Sequence, residues 1–185
     1  MSSRAALSAA CFAAVVGLSL TSVAGLSKPA DANIGFTATG PAGLKIHGVT
    51  RELDVAERGR DVVVTVPLGH LETGIALRDR HMKEKYLEID KYPSTTLTIA
   101  RDKLKLPASD GTVSADVSGK LSLHGSEKPV VVHYEASRSS GVITVKGRLG
   151  IEMDHFGISV PSYLGVTVKP GVEVDATFRV SAGEG

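Results

Sequence analysis

The sequence predicts an all-β fold, an eight-stranded antiparallel barrel with one short helix between the third and fourth strands. Two observations predict it: apolar and polar residues alternate with period two from Asn33 onward, and glycine-containing turns separate the alternating segments. Each such strand has one apolar and one polar face, and eight strands can bury their apolar faces by closing on themselves. A sandwich of two sheets satisfies the same pattern and stays open as an alternative.

The predicted strands share this alternation and are joined by turns such as Ser139-Ser140-Gly141 and Asp110-Gly111. They cover residues 34–39, 44–55, 60–69, 95–104, 112–123, 128–138, 142–153 and 172–181. An unpaired charge is costly to bury, so the apolar face of each strand must point inward. The residues predicted to point inward include Leu121, Val145, Leu149, Val174 and Phe178, and those predicted to face water include Lys120, Lys146, Arg148, Asp175 and Arg179.

One segment interrupts the strands, because residues 78–87 follow the pattern of a helix of two to three turns. Asp79 is expected to act as its N-cap or as an acid in its first turn, where the helix dipole favours negative charge. Arg78 and His81 are expected to tie the helix to the barrel wall or its loops. The Arg78, Asp79 and His81 group at the barrel mouth is therefore predicted to be structural.

The N-terminus is predicted to be a signal peptide over residues 1–24. Arg4 supplies a positive start, an uncharged apolar run follows, and Ser22-Val23-Ala24 places small residues where signal peptidase reads them. Cleavage as late as residue 32 is an alternative, and the barrel domain is predicted to cover 33–185. Export to the periplasm or secretion follows. An uncleaved anchor and a lipid-modified Cys11 are the other readings of this segment.

Composition argues against several functions. Lys and Arg number 21 against 20 Asp and Glu, so the chain lacks the basic excess that nucleic-acid binding needs. The sequence has neither a glycine-rich phosphate loop nor a nucleophile-elbow serine. The histidines are expected to be structural, although a zinc site from His70, Asp79 and His81 is conceivable. We therefore expect no enzyme activity, no cofactor, no metal and no nucleic-acid partner.

The predicted apolar faces consist mostly of Val, Leu, Ile, Ala and Gly, with four Phe and no Trp in the chain. An eight-stranded barrel is just wide enough to be filled by side chains or to hold one small ligand. Small inward residues favour a cavity, but composition alone leaves a solid core equally open.

Three motifs resemble one known family. The first is Thr73-Gly74-Ile75 followed by Arg78-Asp79, His81-Met82, Tyr86-Leu87, Asp90 and Tyr92-Pro93; the second is Gly119-Lys120-Leu121-Ser122-Leu123-His124-Gly125 followed by Lys128-Pro129-Val130; the third is Asp154-His155-Phe156-Gly157-Ile158. In their order and spacing they resemble the YceI-like family, a lipocalin-shaped group of bacterial polyisoprenoid-binding proteins. The third motif carries His155 between the Asp and Phe that are adjacent in the family.

The resemblance implies a lipocalin-like barrel whose interior holds a polyisoprenoid, an isoprenoid quinone or a fatty-acyl lipid, and a periplasmic carrier or reservoir as the function. Transient membrane contact and a homodimer are further expectations. The residues expected to contact the ligand are Phe36, Leu97, Ile99, Val117, Leu121, Val145, Leu149, Ile151, Phe156, Val174 and Phe178. An enzyme acting on such a lipid remains an alternative, as does an integral outer-membrane barrel, in which the apolar face would point outward.

Overall fold

The computed structural model describes residues 29–163 and 166–181, and the predicted signal peptide lies outside them. The strands are β1 Ala30–Thr39, β2 Lys45–Thr50, β3 Asp54–Arg58, β4 Asp61–Pro67, β5 Ser94–Ala100, β6 Gly111–Leu123, β7 Ser126–Ser139, β8 Val142–Glu152, β9 Ser162–Tyr163, β10 Val166–Thr167 and β11 Gly171–Ser181. Nine of them form one strongly curled antiparallel sheet in the order β2-β1-β11-β8-β7-β6-β5-β4-β3, and β9 pairs with β10. The predicted all-β antiparallel fold is confirmed.

The predicted strand at 44–55 is wrong as a single element, because it is two strands at opposite edges of the sheet. β2 pairs with β1, and β3 pairs with β4. Gly48 and Thr50 are buried in the first half and Leu53 and Val55 in the second, so the alternation changes phase between the two halves. The sheet therefore has nine strands instead of eight, and the chain passes from one edge to the other through residues 51–53.

This corner explains how the sheet curls. Consecutive chain segments can form the two edges only if those edges come near each other. The edge at β2 is also capped locally: the Val49 amide donates to the Glu72 carbonyl at 2.8 Å, and the Glu72 amide donates back at 2.9 Å. Covering an edge strand removes unpaired backbone groups that would otherwise template association.

Other boundaries differ by a few residues. β1 begins at Ala30, four residues before its predicted start, and its register with β11 shifts between Ala30 and Asn33. β4 and β5 end earlier than predicted because short 3₁₀ turns follow them, at Leu68–His70 and Arg101–Lys103. β6, β7, β8 and β11 agree with prediction to within two residues.

The helix begins as an α-helix, α1, at Ala76–His81 and continues in π-helical geometry over Met82–Tyr86. The N-cap position is occupied by Ile75, which makes no side-chain cap, so the N-cap role of Asp79 is wrong and its first-turn placement is confirmed. Tyr86 packs against the apolar interior. No helix among the described residues is long and apolar enough to cross a membrane.

Candidate functional site at the inner face of the sheet

The sheet has an apolar inner face and a charged outer face, as the alternation predicts. Of the residues predicted to point inward, Leu121 and Phe178 are buried, and Val145, Leu149 and Val174 are partly buried against the core. The charged side chains of the same strands lie on the outer face, with Arg148 71% and Asp175 49% exposed. This polarity is the reverse of that expected for an integral membrane barrel.

The inner face holds two apolar clusters. The Tyr134 cluster has as its buried members Ile34, Leu53, Val55, Val62, Ile99, Val117, Val132, Tyr134, Ala136, Ile143, Phe178 and Val180. The Phe156 cluster has as its buried members Ala38, Leu68, Leu121, Leu123, Met153, Phe156, Ile158 and Val172. Partly buried Leu97, Val130, Leu149 and Val174 pack against both clusters. These four residues therefore mark where the two clusters meet.

The inner face is only partly covered by side chains where the two clusters meet. Leu149 and Val174 point inward yet are only partly buried, although they lie between the two clusters. None of the larger side chains in the described part of the chain is completely buried. Protein interiors normally pack as densely as organic crystals. The inner face is thus accessible, which favours a ligand-holding interior over a solid core.

All eleven predicted ligand-contact residues belong to the inner-face clusters or pack against them. Ile99, Val117, Leu121, Phe156 and Phe178 are buried, whereas Phe36, Leu97, Val145, Leu149, Ile151 and Val174 are partly buried. Their contact with a ligand stays a prediction.

A cavity of about 770 Å³ opens where β7 and β8 separate, and we call it the β7–β8 groove. Its volume lies within the range of about 300–1,000 Å³ typical of small-molecule sites. It is lined by Thr37, Thr39, Lys45, Lys128, Pro129, Val130, Gly150, Ile151, Glu152, His155, Phe156, Gly171, Val172 and Glu173. Of these, only Ile151 and Phe156 were predicted as site residues. The single local signal for the groove was the proline within β7.

The Asp79 carboxylate is bound by Thr73, which lies six residues earlier. The Thr73 amide donates to Asp79 Oδ1 at 2.7 Å, and the Thr73 hydroxyl donates to the same oxygen. Arg78 closes the cluster by donating from Nε to the Thr73 hydroxyl oxygen at 2.7 Å and from a terminal nitrogen to the Thr73 carbonyl at 2.8 Å. Desolvation by burial raises the pKa of Asp79, but the Thr73 hydrogen bonds, with Lys83 and Arg78 nearby, lower it overall.

His81 does not join this cluster. Its side chain is exposed and makes no hydrogen bond or ion pair within residues 29–163 and 166–181. The expectation that His81 ties the helix to the barrel is therefore wrong, because its side chain is exposed to solvent and the helix is held through Thr73 and Tyr86 instead.

His124 links three segments of the chain at the β6–β7 turn. Its Nε2 lies 3.0 Å from Glu88 Oε2, its Nδ1 lies 3.3 Å from the Phe156 carbonyl oxygen, and its ring packs 4.6 Å from that of Tyr92. Both partner atoms are hydrogen-bond acceptors. The pKa of Glu88 is lowered, chiefly by its hydrogen bond from Lys91 and further by His124. This histidine is structural, as predicted.

The conceivable zinc ligands are not brought together. His70 Nδ1 lies 3.4 Å from Glu52 Oε1, while the Asp79 carboxylate is occupied by Thr73. Among the residues that the structure describes, no three His, Cys, Asp or Glu side chains are grouped as a metal site would require.

Polar groups are found on the inner face of β7 near its C-terminal end. The Tyr134 hydroxyl accepts from the Lys105 amide at 2.7 Å and donates to the Lys105 carbonyl at 3.0 Å. Arg138 donates to the Ala108 carbonyl and leaves a buried Nε–H without a partner in the described part of the chain. The segment after β5 is thereby fixed across this end of the sheet, away from the β7–β8 groove.

The fold and its accessible apolar interior define a class of small curled-sheet proteins shaped like lipocalins. The chain belongs to the YceI-like family, since the model of the YceI-like domain matches residues 27–180. A UPF0312 protein of Pseudomonas syringae pathovar tomato is 30% identical over 148 residues, or 72% of this chain and 72% of that protein. This family assignment agrees with the resemblance carried by the sequence motifs.

Two solved structures share the fold. The polyisoprenoid binding domain from Saccharophagus degradans, implicated in plant cell wall breakdown, has a TM-score of 0.70 at 18% identity, covering 85% of this chain and 97% of that one. Burkholderia cenocepacia BcnA has a TM-score of 0.63 at 14% identity, covering 80% of this chain and 95% of that one.

Proposed function

We propose that this protein binds a long apolar ligand, a polyisoprenoid, an isoprenoid quinone or a fatty-acyl lipid, against the inner face of its curled sheet. It acts as a carrier or reservoir and not as an enzyme. The observation that carries the proposal is the accessible apolar interior, in which Leu97, Leu149 and Val174 point inward but remain partly uncovered. The polyisoprenoid-binding relative of the same fold supports the same ligand class.

Apolar contact alone can supply the affinity. Each buried methylene contributes about 0.8 kcal/mol, so a chain of several isoprene units can be held without a polar motif. An inner face built from Val, Leu, Ile and Phe provides such contact along its length. A site of this kind also explains why the chemistry-bearing motifs are few.

The proposed location is the periplasm or the exterior, after removal of residues 1–24. The small residues Ser22-Val23-Ala24 support it. A bound lipid would then be shielded from water between membranes. Transient contact with a membrane and a homodimer belong to the same proposal.

The test is mass spectrometry of the mature domain purified without detergent. We expect a native spectrum with a bound species, released into organic solvent and identified as an isoprenoid or acyl lipid. The ligand-free protein should then take up an added polyprenol from a dispersion. A bare polypeptide that takes up neither a polyprenol nor a fatty acid contradicts the proposal.

A further inference from the structure

We propose that the β7–β8 groove is a lateral port, through which an apolar chain enters the curled sheet and at which its polar end remains. The inference rests on the proposed function, because the port serves the same interior. It adds a site and a route: the ligand passes between two strands through the wall of the sheet.

The first observation is that two long strands, β7 and β8, pair over only part of their length. The pairing of β7 with β8 ends at His133↔Arg148. β7 nevertheless stays paired with β6 as far as Ser126, and β8 stays paired with β11 as far as Glu152. Each strand is therefore held on its far side while the space between the two is open.

Pro129 lies in the unpaired part of β7, on the edge that faces β8. The turn at His124 and Gly125 closes on the pair Leu123↔Ser126, so alternate residues of β7, including Pro129, direct their backbone groups towards β8. Proline has no N–H to donate, and it is found in sheets where a strand edge is unpaired. The proline therefore disfavours pairing of β7 with β8 in this stretch.

Gly150 and Val131 are the two residues that continued pairing of β7 with β8 would bring together on the outer face. Continuing the register past His133↔Arg148 would set these two residues opposite each other. A Cβ added at Gly150 would meet nothing within 4 Å. The Val131 side chain is 62% exposed. Both positions therefore have open space above them on the outer face of the sheet.

The lining of the groove includes residues from both faces of the sheet. Val130, Phe156 and Val172 line it and belong to the inner-face packing. Thr37 of β1 and its β11 partner Glu173 line it as well, and both lie on the outer face. The groove therefore reaches residues of the inner-face packing from the outer surface, as an entry route to the interior requires.

The charges at the groove suit the polar end of an amphiphile. Lys128 and Glu152 line it and make no ion pair or hydrogen bond within the described ranges. Together these two side chains offer the polar end both hydrogen-bond donors and acceptors. His155, by which the third motif departs from the family pattern, lines the same groove. The expected occupant is a single-chain amphiphile with its tail inward.

The test is to plug the port with Gly150→Phe and follow uptake of a fluorescent polyene fatty acid by stopped flow. Gly150 lies outside the left-handed region, so a side chain is tolerated by the backbone. The association rate should fall by about tenfold or more, as expected when access and not affinity is changed. Gly69→Phe is the matched control, since a Cβ there also meets nothing within 4 Å and Gly69 does not line the groove.

The outcomes separate the two proposals. A wild-type protein that takes up no probe refutes the proposed function. A wild-type protein that binds, with Gly150→Phe binding equally fast, overturns the port and leaves the function standing. If Gly150→Phe does not fold, Pro129→Trp adds bulk to the groove lining from the other strand and should give the same slowing. Its control is Val142→Trp at the far end of β8, which should bind at the wild-type rate.

Discussion

The Phe36 ring occupies the space that a side chain at Gly48 would need. The two residues are direct partners on β1 and β2, and a Cβ built at Gly48 would lie 2.1 Å from Phe36 Cε1. Because residue 48 has no side chain, the aromatic ring can lie across the neighbouring strand on the inner face. One predicted ligand-contact residue is thus positioned by a glycine on the next strand.

Gly48→Ala should therefore lower the free energy of unfolding by about 1–3 kcal/mol, the usual cost of overpacking. Denaturant unfolding measures it. Combining the change with Phe36→Leu should recover most of the loss, because the clash is removed. Gly35→Ala is the matched control, since its Cβ would meet the Gly48 carbonyl oxygen at an ordinary 3.6 Å. Equal stability of Gly48→Ala and wild type would contradict the close approach.

Leu149→Arg should abolish lipid loading. Leu149 points inward and packs against both apolar clusters, so the substitution places a charge where the ligand chain is expected. Loading is measured by native mass spectrometry after incubation with a polyprenol. Lys146→Glu, on the outer face of the same strand, should load normally. The substitution removes only an exposed ion pair, in which Lys146 lies 3.4 Å from Glu135, and such pairs contribute little to stability. Normal loading by Leu149→Arg would place the ligand elsewhere.

Asp79→Asn should lower the free energy of unfolding by about 1 kcal/mol at neutral pH, because the charge-assisted hydrogen bonds from Thr73 are lost. The folded state lowers the pKa of Asp79 below its ordinary value of 3.8. The stabilisation is therefore present above that value and is lost as the pH falls through the lower, folded-state pKa.

Melting temperatures measured from neutral to acidic pH test this prediction. The difference between wild type and Asp79→Asn should shrink as the pH falls. Asp90→Asn is the control, because Asp90 makes no ion pair or hydrogen bond in the described part of the chain. A pH-independent difference between wild type and Asp79→Asn would mean that the carboxylate charge is not the stabilising element.

The exported protein should begin at Gly25. Cleavage after Ala24 keeps the start of β1, where Ala30 pairs with Arg179 and Asp31 Oδ2 lies 2.8 Å from an Arg179 guanidinium nitrogen. Cleavage after residue 32 would remove both contacts. The intact mass of protein recovered from the periplasm distinguishes the two sites. A mass that corresponds to a start at Asn33 would contradict the prediction.

Much of the inner face could be predicted, because the side of the sheet to which a residue points is a local property of its strand. In β11 the residues from Val172 to Val180 alternate strictly, so placing one side chain places the rest. The same reasoning assigned Leu121 and Val145 correctly. It failed at 44–55, where exposed Arg51 and Glu52 in succession were the signal that the alternation changes phase.

Alternation, turns and motifs are read over a few neighbouring residues, so the antiparallel strands, their apolar faces, the helical segment and the family could be predicted from the chain alone. That β2 and β3 form opposite edges, that Asp79 binds Thr73 and that β7 separates from β8 became visible in the folded molecule. Strand pairing joins residues far apart in the chain, and no local pattern specifies those partners. Pro129 is visible in the sequence, but the neighbour it fails to bond is chosen by the fold.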